Sequence, residues 1–325
     1  MNEFELIERY FSRPPRSTSV ALSVGDDAAL LVPSPGCELA VSVDMLVEGR
    51  HFFADVDPEA LGHKTLAVNL SDMAAMGATP RWALLAGALP DNDPAWLEAF
   101  ARGFHALADA YGVDLVGGDT TRGPRNLCVT ILGEVPAGKA LRRDSARPGD
   151  EIYVSGSLGD AALAVAALDG RIVLDAAALR TARARLDMPQ PRIALGIALR
   201  DIASAAIDIS DGFTGDLGHV LERSHVGAVV ELGAIPHSRA LAAKLAGSER
   251  AIALECLLAG GDDYELLFAA PPTLAPRIAD IARNLALPLT RIGSITDTAG
   301  LVVNDERGKP LPSLPRAYDH FAGRA

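Results

Sequence analysis

The sequence predicts a mixed α/β (α+β) protein built as two α/β sandwich domains, and three observations carry that expectation. Helical and strand periodicities alternate along the chain. Several strands nevertheless follow one another as hairpin-like pairs, unlike the strict alternation of a single doubly wound parallel sheet. The apolar pattern breaks in the polar, basic stretch P-A-G-K-A-L-R-R-D-S-A-R-P-G-D over residues 136–150. A length of 325 residues, 49% hydrophobic and 22% charged, suits two buried cores. The expected organisation is an N-terminal domain over residues 1–137, a connection at 138–147 and a C-terminal domain over 148–325.

Taken in order, Phe4, Ile7 and Phe11 share one face of a short opening helix, which Pro14 and Pro15 end. Residues 20–32 read as two short strands hinged at Gly25, Asp26 and Asp27. Residues 39–43 form a strand that delivers Asp44 at its end. Asp57 as N-cap and Pro58 at the first helical position start a long helix over 58–76, closed by Gly77. A strand over 82–89 follows, then a helix capped at Asp93 and Pro94 that runs to residue 111. A strand over 113–116 opens into Gly117, Gly118 and Asp119, and another covers 127–135. Past the connection come a strand at 151–155 and a turn at Gly156 and Gly159 that leads into a helix. Helices over 176–186 and 192–202 precede a strand at 205–209. A helix follows Gly212, then a strand at 228–232 and two helices before Gly260 and Gly261. Late strands fall at 266–270, 289–295 and 301–303.

Composition narrows the function. A formal net charge of -12 argues against nucleic acid and anionic membrane surfaces as partners. A nucleotide substrate stays open, because bound Mg²⁺ reverses the local sign. No apolar run approaches the roughly 18 residues of a membrane span. The acidic, amphipathic start M-N-E-F-E-L-I-E-R is not a signal peptide. Cys37, Cys128 and Cys256 show no C-x-x-C spacing, so they read as small apolar filler in a reducing cytoplasm. The chain has no G-x-x-x-x-G-K-[ST] loop, no protein-kinase motif set and no G-x-S-x-G elbow.

What it does have is carboxylates beside glycines and at the ends of apolar runs. Asp26 and Asp27 lie in V-G-D-D-A, Asp44 follows A-V-S-V, Asp72 lies in N-L-S-D-M and Asp119 in L-V-G-G-D-T-T. Asp208 and Asp211 lie in I-D-I-S-D-G, and Asp262 and Asp263 in A-G-G-D-D-Y-E. Anions gathered at element rims repel one another unless cations lie between them. Hard oxygen donors suit Mg²⁺, which takes few protein ligands and leaves positions for water and phosphate oxygens. The chemistry this points to is metal-dependent phosphoryl transfer.

Each motif also has a plainer alternative. Asp26 and Asp27 fit a solvated hairpin tip. Asp72 shares a helix face with Asn69 and Met76 in an apolar helix, where an unpaired carboxylate is costly to bury. A metal and a buried salt bridge are its alternatives. Gly117 and Gly118 suit close approach of backbone to a phosphate, or an ordinary turn. Strand alternation sets Asp208 and Ser210 on one side, with Asp211 at the turn. Gly156-Ser157-Leu158-Gly159 before a helix suits an anion, or packing alone. The seven histidines show no ligand spacing, and His51, in E-G-R-H-F-F after Asp44, is the one singled out. Arg142, Arg143 and Arg147 form a basic patch, either solvated or aimed at a nucleotide phosphate.

The motifs V-G-D-D-A, V-S-V-D-M-L-V-E-G-R-H-F, A-V-N-L-S-D-M-A-A-M-G-A-T-P, G-G-D-T-T-R-G, I-D-I-S-D-G, G-G-D-D-Y-E-L-L-F and Y-D-H-F occur in register from the first helix to Phe321. Together they resemble the thiamine-monophosphate kinase family, of the aminoimidazole-ribonucleotide-synthetase-like superfamily. The resemblance implies an N-terminal sheet, flanked by helices, that pairs across a homodimer into a β-barrel, and a C-terminal α/β domain. It implies ATP-dependent phosphorylation of thiamine monophosphate to thiamine diphosphate, the last step of thiamine diphosphate biosynthesis, with several Mg²⁺ ions. By motif, Asp27, Ser42, Asp44, Asp72, Asp119, Asp208 and Asp211 would bind Mg²⁺. Gly118, Arg143 and Ser210 would contact ATP. His51, Asp262 and Tyr318 would contact thiamine monophosphate. No catalytic base is expected, because the acceptor is itself a phosphate. Two positions depart from the family pattern: Val43 stands where Thr is frequent, and Asp262 where Glu is common. A superfamily ATP-dependent cyclo-ligase and a non-catalytic Mg·ATP-binding sensor are the alternatives.

Overall fold

In the computed structural model, which describes residues 2–316, helix α1 (Glu3–Tyr10) opens the chain. The Asn2 side chain accepts from Glu5 N–H while the Glu5 carboxylate accepts from Asn2 N–H, a reciprocal cap. Strands β1 (Val20–Leu22) and β2 (Leu30–Leu31) pair antiparallel, and Asp26 and Asp27 lie in the turn between them. Contacts divide the chain into two units. One holds residues up to 73 with Ala78–Ala140, and the other holds Ala74–Gly77 with the chain from Leu141 on.

The first unit contains β3 (Cys37–Val47), all but the last two residues of α2 (Pro58–Ala75), β4 (Thr79–Leu89), α3 (Pro94–Tyr111), β5 (Asp114–Arg122) and β6 (Asn126–Pro136). The sheet order is β3-β6-β4-β5, with β4–β5 parallel and the other pairs antiparallel. Helices α2 and α3 cross in backbone contact. A Cβ at Gly62 would lie 2.0 Å from the Phe100 carbonyl oxygen, and one at Gly103 would lie 1.8 Å from that of Glu59. Asp93 caps α3, and Gly112 ends it in the left-handed conformation.

Two expectations need correction here. β3 does not stop before Asp44. It runs on to Val47, with Asp44 opposite Val129, because β6 supplies an equally long partner. Gly117, Gly118 and Asp119 likewise lie inside β5, where Val116 bulges out of the pairing with β4. Gly118 has φ +151, and a Cβ there would fall 1.8 Å from the Leu85 carbonyl oxygen. Glycine at 118 is therefore a condition for β5 to lie against β4.

The second unit contains β7 (Glu151–Ser155), α4 (Asp160–Leu168), α5 (Ala176–Asp187), α6 (Ile193–Ala198), β8 (Ala205–Asp208) and α7 (Phe213–Ser224). It continues with β9 (Gly227–Glu231), α8 (Arg239–Leu245), α9 (Arg250–Ala259), β10 (Leu266–Ala270), α10 (Ala275–Leu285), β11 (Leu289–Thr296) and β12 (Gly300–Asn304). The order is β12-β9-β11-β7-β10-β8, with β12–β9 parallel and the rest antiparallel. Leu163, Ile207, Phe213, Leu217, Leu257 and Leu267 belong to its core. Helix α6 is shorter than the expected 192–202, and α10 is an element the sequence analysis did not anticipate. The polar stretch before β7 is anchored rather than loose. Leu141, Ala146 and Asp150 are buried, and Ala206 N–H donates to the Arg142 carbonyl. Among the described residues no helix is long and apolar enough to cross a membrane.

Candidate functional site

In the first unit the alternation of β3 separates two chemistries. Ser42 and Asp44 are half-buried on the side that meets α2, while Leu39, Val41, Val43 and Met45 are exposed on the other. The Ser42 hydroxyl donates to Asp72 Oδ2 at 2.5 Å, and Asp44 N–H donates to Asn69 Oδ1 at 3.2 Å. Asn69 is held in turn by donating to the Thr65 carbonyl. Of the α2 face read from the sequence, Asn69 and Asp72 meet β3, while Met76 lies past the helix end and is exposed. The half-buried Asp72 carboxylate takes a hydroxyl partner that neither sequence alternative included. The Val43 side chain points away from this cluster, 59% exposed. A threonine at 43 would present its hydroxyl to the opposite face. Asp27 and Asp119 are exposed, on the β1–β2 turn and on β5.

His51 follows β3, and its Nδ1 accepts from Val47 N–H at 2.9 Å, which places the proton of the neutral ring on Nε2. The His51 carbonyl accepts from Lys64 Nζ at 3.1 Å, and Lys64 is 1% exposed. A buried lysine on α2 therefore pins this loop.

In the second unit the motifs I-D-I-S-D-G and G-G-D-D-Y-E are laced into one structure. Ile209 N–H donates to the Glu265 carbonyl, Tyr264 N–H to that of Ile209 and Asp262 N–H to that of Ser210, each at 2.8 Å. A Cβ at Gly261 would lie 2.2 Å from the Ser210 carbonyl oxygen. Asp262 and Tyr264 both have positive φ, +67 and +50, a conformation that a bulky residue holds only when its surroundings impose it. The Tyr264 hydroxyl donates to Asp262 Oδ1 at 2.9 Å. Asp208 is buried at the end of β8, and Asp211 is exposed in the turn to α7.

Asp216, in the first turn of α7, is buried and accepts from Ser210 N–H and Asp211 N–H. Burial first, and then the charges of Asp208 and Asp211, push its carboxyl up to about 8. Of the basic patch, Arg142 is committed to Asp144, whose carboxyl it holds at about 2. Arg143 is exposed, its carbonyl fixed by the Ser224 hydroxyl. The turn between β7 and α4 follows the packing alternative. Gly159 N–H donates to the buried Asp263 carboxylate, and a Cβ at Gly156 would strike the Glu265 carboxylate at 2.2 Å. Glu265 is itself held by Ser155, Arg185 and Arg192. Tyr318 lies outside the described residues.

Residues 25–135 match the AIR synthase related protein N-terminal domain, and residues 147–306 match the corresponding C-terminal domain. The chain is 46% identical over 323 residues to thiamine-monophosphate kinase of Escherichia coli (strain K12), covering 98% of each chain. The chain belongs to the thiamine-monophosphate kinase family. Its fold matches the crystal structure of thiamine-monophosphate kinase from Stenotrophomonas maltophilia K279a with a TM-score of 0.86 at 46% identity, covering 96% of this chain and 98% of that one. It also matches AaThiL complexed with AMPPCP and TMP, with a TM-score of 0.77 at 31% identity over 89% of each chain.

For a thiamine-monophosphate kinase family member the donor chemistry fits Mg²⁺. Its sequence-predicted metal set is carboxylates and one hydroxyl, all hard oxygens, and the charges of Asp208 and Asp211 that bear on Asp216 are ones a cation would offset. Among the described residues no group of three or more His, Cys, Asp or Glu converges tightly enough to hold a metal on its own. Mg²⁺ needs no such cage, because water and phosphate oxygens complete its shell. Sequence reasoning missed Asp216 and Lys64. An acid in a first helical turn reads as ordinary dipole complementation. Lys64 carried the same signal as Asp72, a charge inside an apolar helix.

Proposed function

We propose that this chain transfers the γ-phosphoryl group of ATP to the phosphate of thiamine monophosphate, giving ADP and thiamine diphosphate. Family membership over almost the whole chain carries this conclusion. An oxygen of the acceptor phosphate attacks the γ-phosphorus in line. The new P–O bond forms as the bond to the β,γ-bridging oxygen breaks, and ADP leaves with that electron pair. The acceptor is already an anion at neutral pH, so no side chain removes a proton. The protein's tasks are position and charge balance.

Asp27, Ser42, Asp44, Asp72 and Asp119 of the first unit, and Asp208 and Asp211 of the second, are the proposed holders of Mg²⁺. When bound, the metal neutralises phosphate oxygens and orients them. Gly118, Arg143 and Ser210 are assigned to ATP. The exposed guanidinium of Arg143 suits phosphate oxygens. His51, Asp262 and Tyr318 are assigned to thiamine monophosphate. Nε2–H of His51 can donate to the acceptor phosphate, and the Asp262 carboxylate suits the cationic thiamine moiety. Tyr264 orients Asp262, which is one methylene shorter than the Glu common at that position.

We assign residues 1–137 to ATP and Mg²⁺ binding and to dimerisation, 148–325 to the C-terminal α/β domain and 138–147 to their connection. The apolar stripe Leu39, Val41, Val43 and Met45 on the edge strand β3 supports a homodimer whose paired sheets close a β-barrel. Three free cysteines fit a reducing cytoplasm. Incubation with Mg·ATP and thiamine monophosphate is expected to yield ADP and thiamine diphosphate one for one. ATP consumption without that product would overturn the assignment.

A further inference from the structure

Asp216 lies outside the residues just assigned, yet it organises two of them. It is 3% exposed, and its Oδ2 accepts from two successive amides, Ser210 N–H and Asp211 N–H, each at 3.1 Å. On the other side of the same turn, Tyr264 N–H and Asp262 N–H hold the carbonyls of Ile209 and Ser210. Gly212, at φ +112, lets the chain swing into α7, and a Cβ there would fall 2.6 Å from the Ala259 backbone. The turn is thus clamped through its amides by Asp216 and through its carbonyls by residues 262 and 264. With both clamps closed, the backbone from which the Ser210 and Asp211 side chains project is fixed. A buried carboxylate beside Asp208 and Asp211 is a costly means of closing a turn. The cost makes sense where the turn must present a hydroxyl and a carboxylate to a divalent cation and its phosphates in a set geometry.

We propose that Asp216 is a positioning residue for Mg·ATP, holding Ser210 and Asp211 where they receive the metal-bound triphosphate without itself touching the nucleotide. This rests on the assignment of Ser210 to ATP and Asp211 to Mg²⁺.

The test compares the full chain with its Asp216→Ala, Asp216→Asn and Asp216→Glu variants. Affinity for Mg·ADP is measured by calorimetric titration without acceptor, and KM for Mg·ATP and for thiamine monophosphate are measured separately. Alanine is expected to weaken Mg·ADP at least about tenfold and leave the KM for thiamine monophosphate within about twofold. Asparagine, which keeps an acceptor oxygen in place, should recover most of that loss. Wild-type Mg·ADP affinity in the alanine variant overturns the proposal. So does an equal rise in both KM values with a lowered Tm, the mark of a merely structural role. If the alanine variant does not fold, glutamate decides, because it keeps the carboxyl group but displaces the oxygen. Weakened Mg·ADP binding there supports the proposal, and unchanged binding overturns it. Mg·ADP binding by a wild type that forms no thiamine diphosphate sinks the assigned reaction and leaves the Asp216 comparison decisive. A wild type that binds no Mg·ADP overturns both.

Discussion

Asp72 and Asp211 show how one side-chain type serves in two settings. Asp72 projects from an apolar helix onto a strand hydroxyl, while Asp211 stands exposed in a turn. Both are proposed metal holders, and neither is a core residue. Asp72→Ala and Asp211→Ala are therefore expected to lower kcat about a hundredfold or more while far-UV circular dichroism stays native. Near wild-type turnover in either variant would remove that residue from the metal set. Asp216 yields a pH dependence with a defined sign. Its carboxyl is raised from 3.8 to about 8, first by burial and then by Asp208 and Asp211. Its contribution to stability is thus fully present below the unfolded value and is lost as pH rises through about 8. Burial raises Asp160 and Asp263 in the same direction. The metal-free protein should melt at a lower temperature at pH 9 than at pH 6, and Asp216→Asn should flatten that slope. An unchanged slope in the variant would show that other groups set it.

At the scale of elements, β5 is where glycine chemistry and pairing meet. Gly118→Ala places a Cβ against the Leu85 carbonyl at a positive φ, so it should cost about 1–3 kcal/mol in chemical denaturation. A neutral result would mean that β5 lies further from β4. That strand also marks the limit of sequence reading. The helices α2 and α3 were legible because Pro58, Asp93 and Pro94 are strong start signals and Gly77 a stop. The glycines at 117 and 118 looked like the end of a strand, because a bulge and a close backbone neighbour cannot be seen in one dimension. Asp44 looked terminal for a similar reason. Aspartate is rare inside strands, and the long partner β6 with the Asn69 contact from α2 explains its place there. Helix α10 escaped notice because Ile278 is its sole buried residue, so its pattern is mostly that of a solvated segment. The carboxylate positions were legible as types, but the lacing of residues 208–211 to 262–265 joins chain segments about fifty residues apart in sequence, which periodicity does not reveal.

At the scale of the molecule, β3 leaves an apolar stripe on its outer face. Val41 and Val43, 61% and 59% exposed, sit in its middle. Light scattering should find the wild type as a dimer and Val43→Asp shifted toward monomer, since the substitution places a charge on the proposed interface but not on the Asp72 side of β3. A wild-type monomer at micromolar concentration would contradict the barrel. The central claim is the reaction itself. Its most direct test is ³¹P NMR of the purified protein with Mg·ATP, in parallel with thiamine monophosphate, thiamine and formylglycinamidine ribonucleotide as acceptors. The account predicts thiamine diphosphate resonances matched by ADP with the first acceptor, abolished by EDTA. ADP formed with the ribonucleotide and not with thiamine monophosphate would contradict it, as would Mg·ATP binding with no ADP from any acceptor.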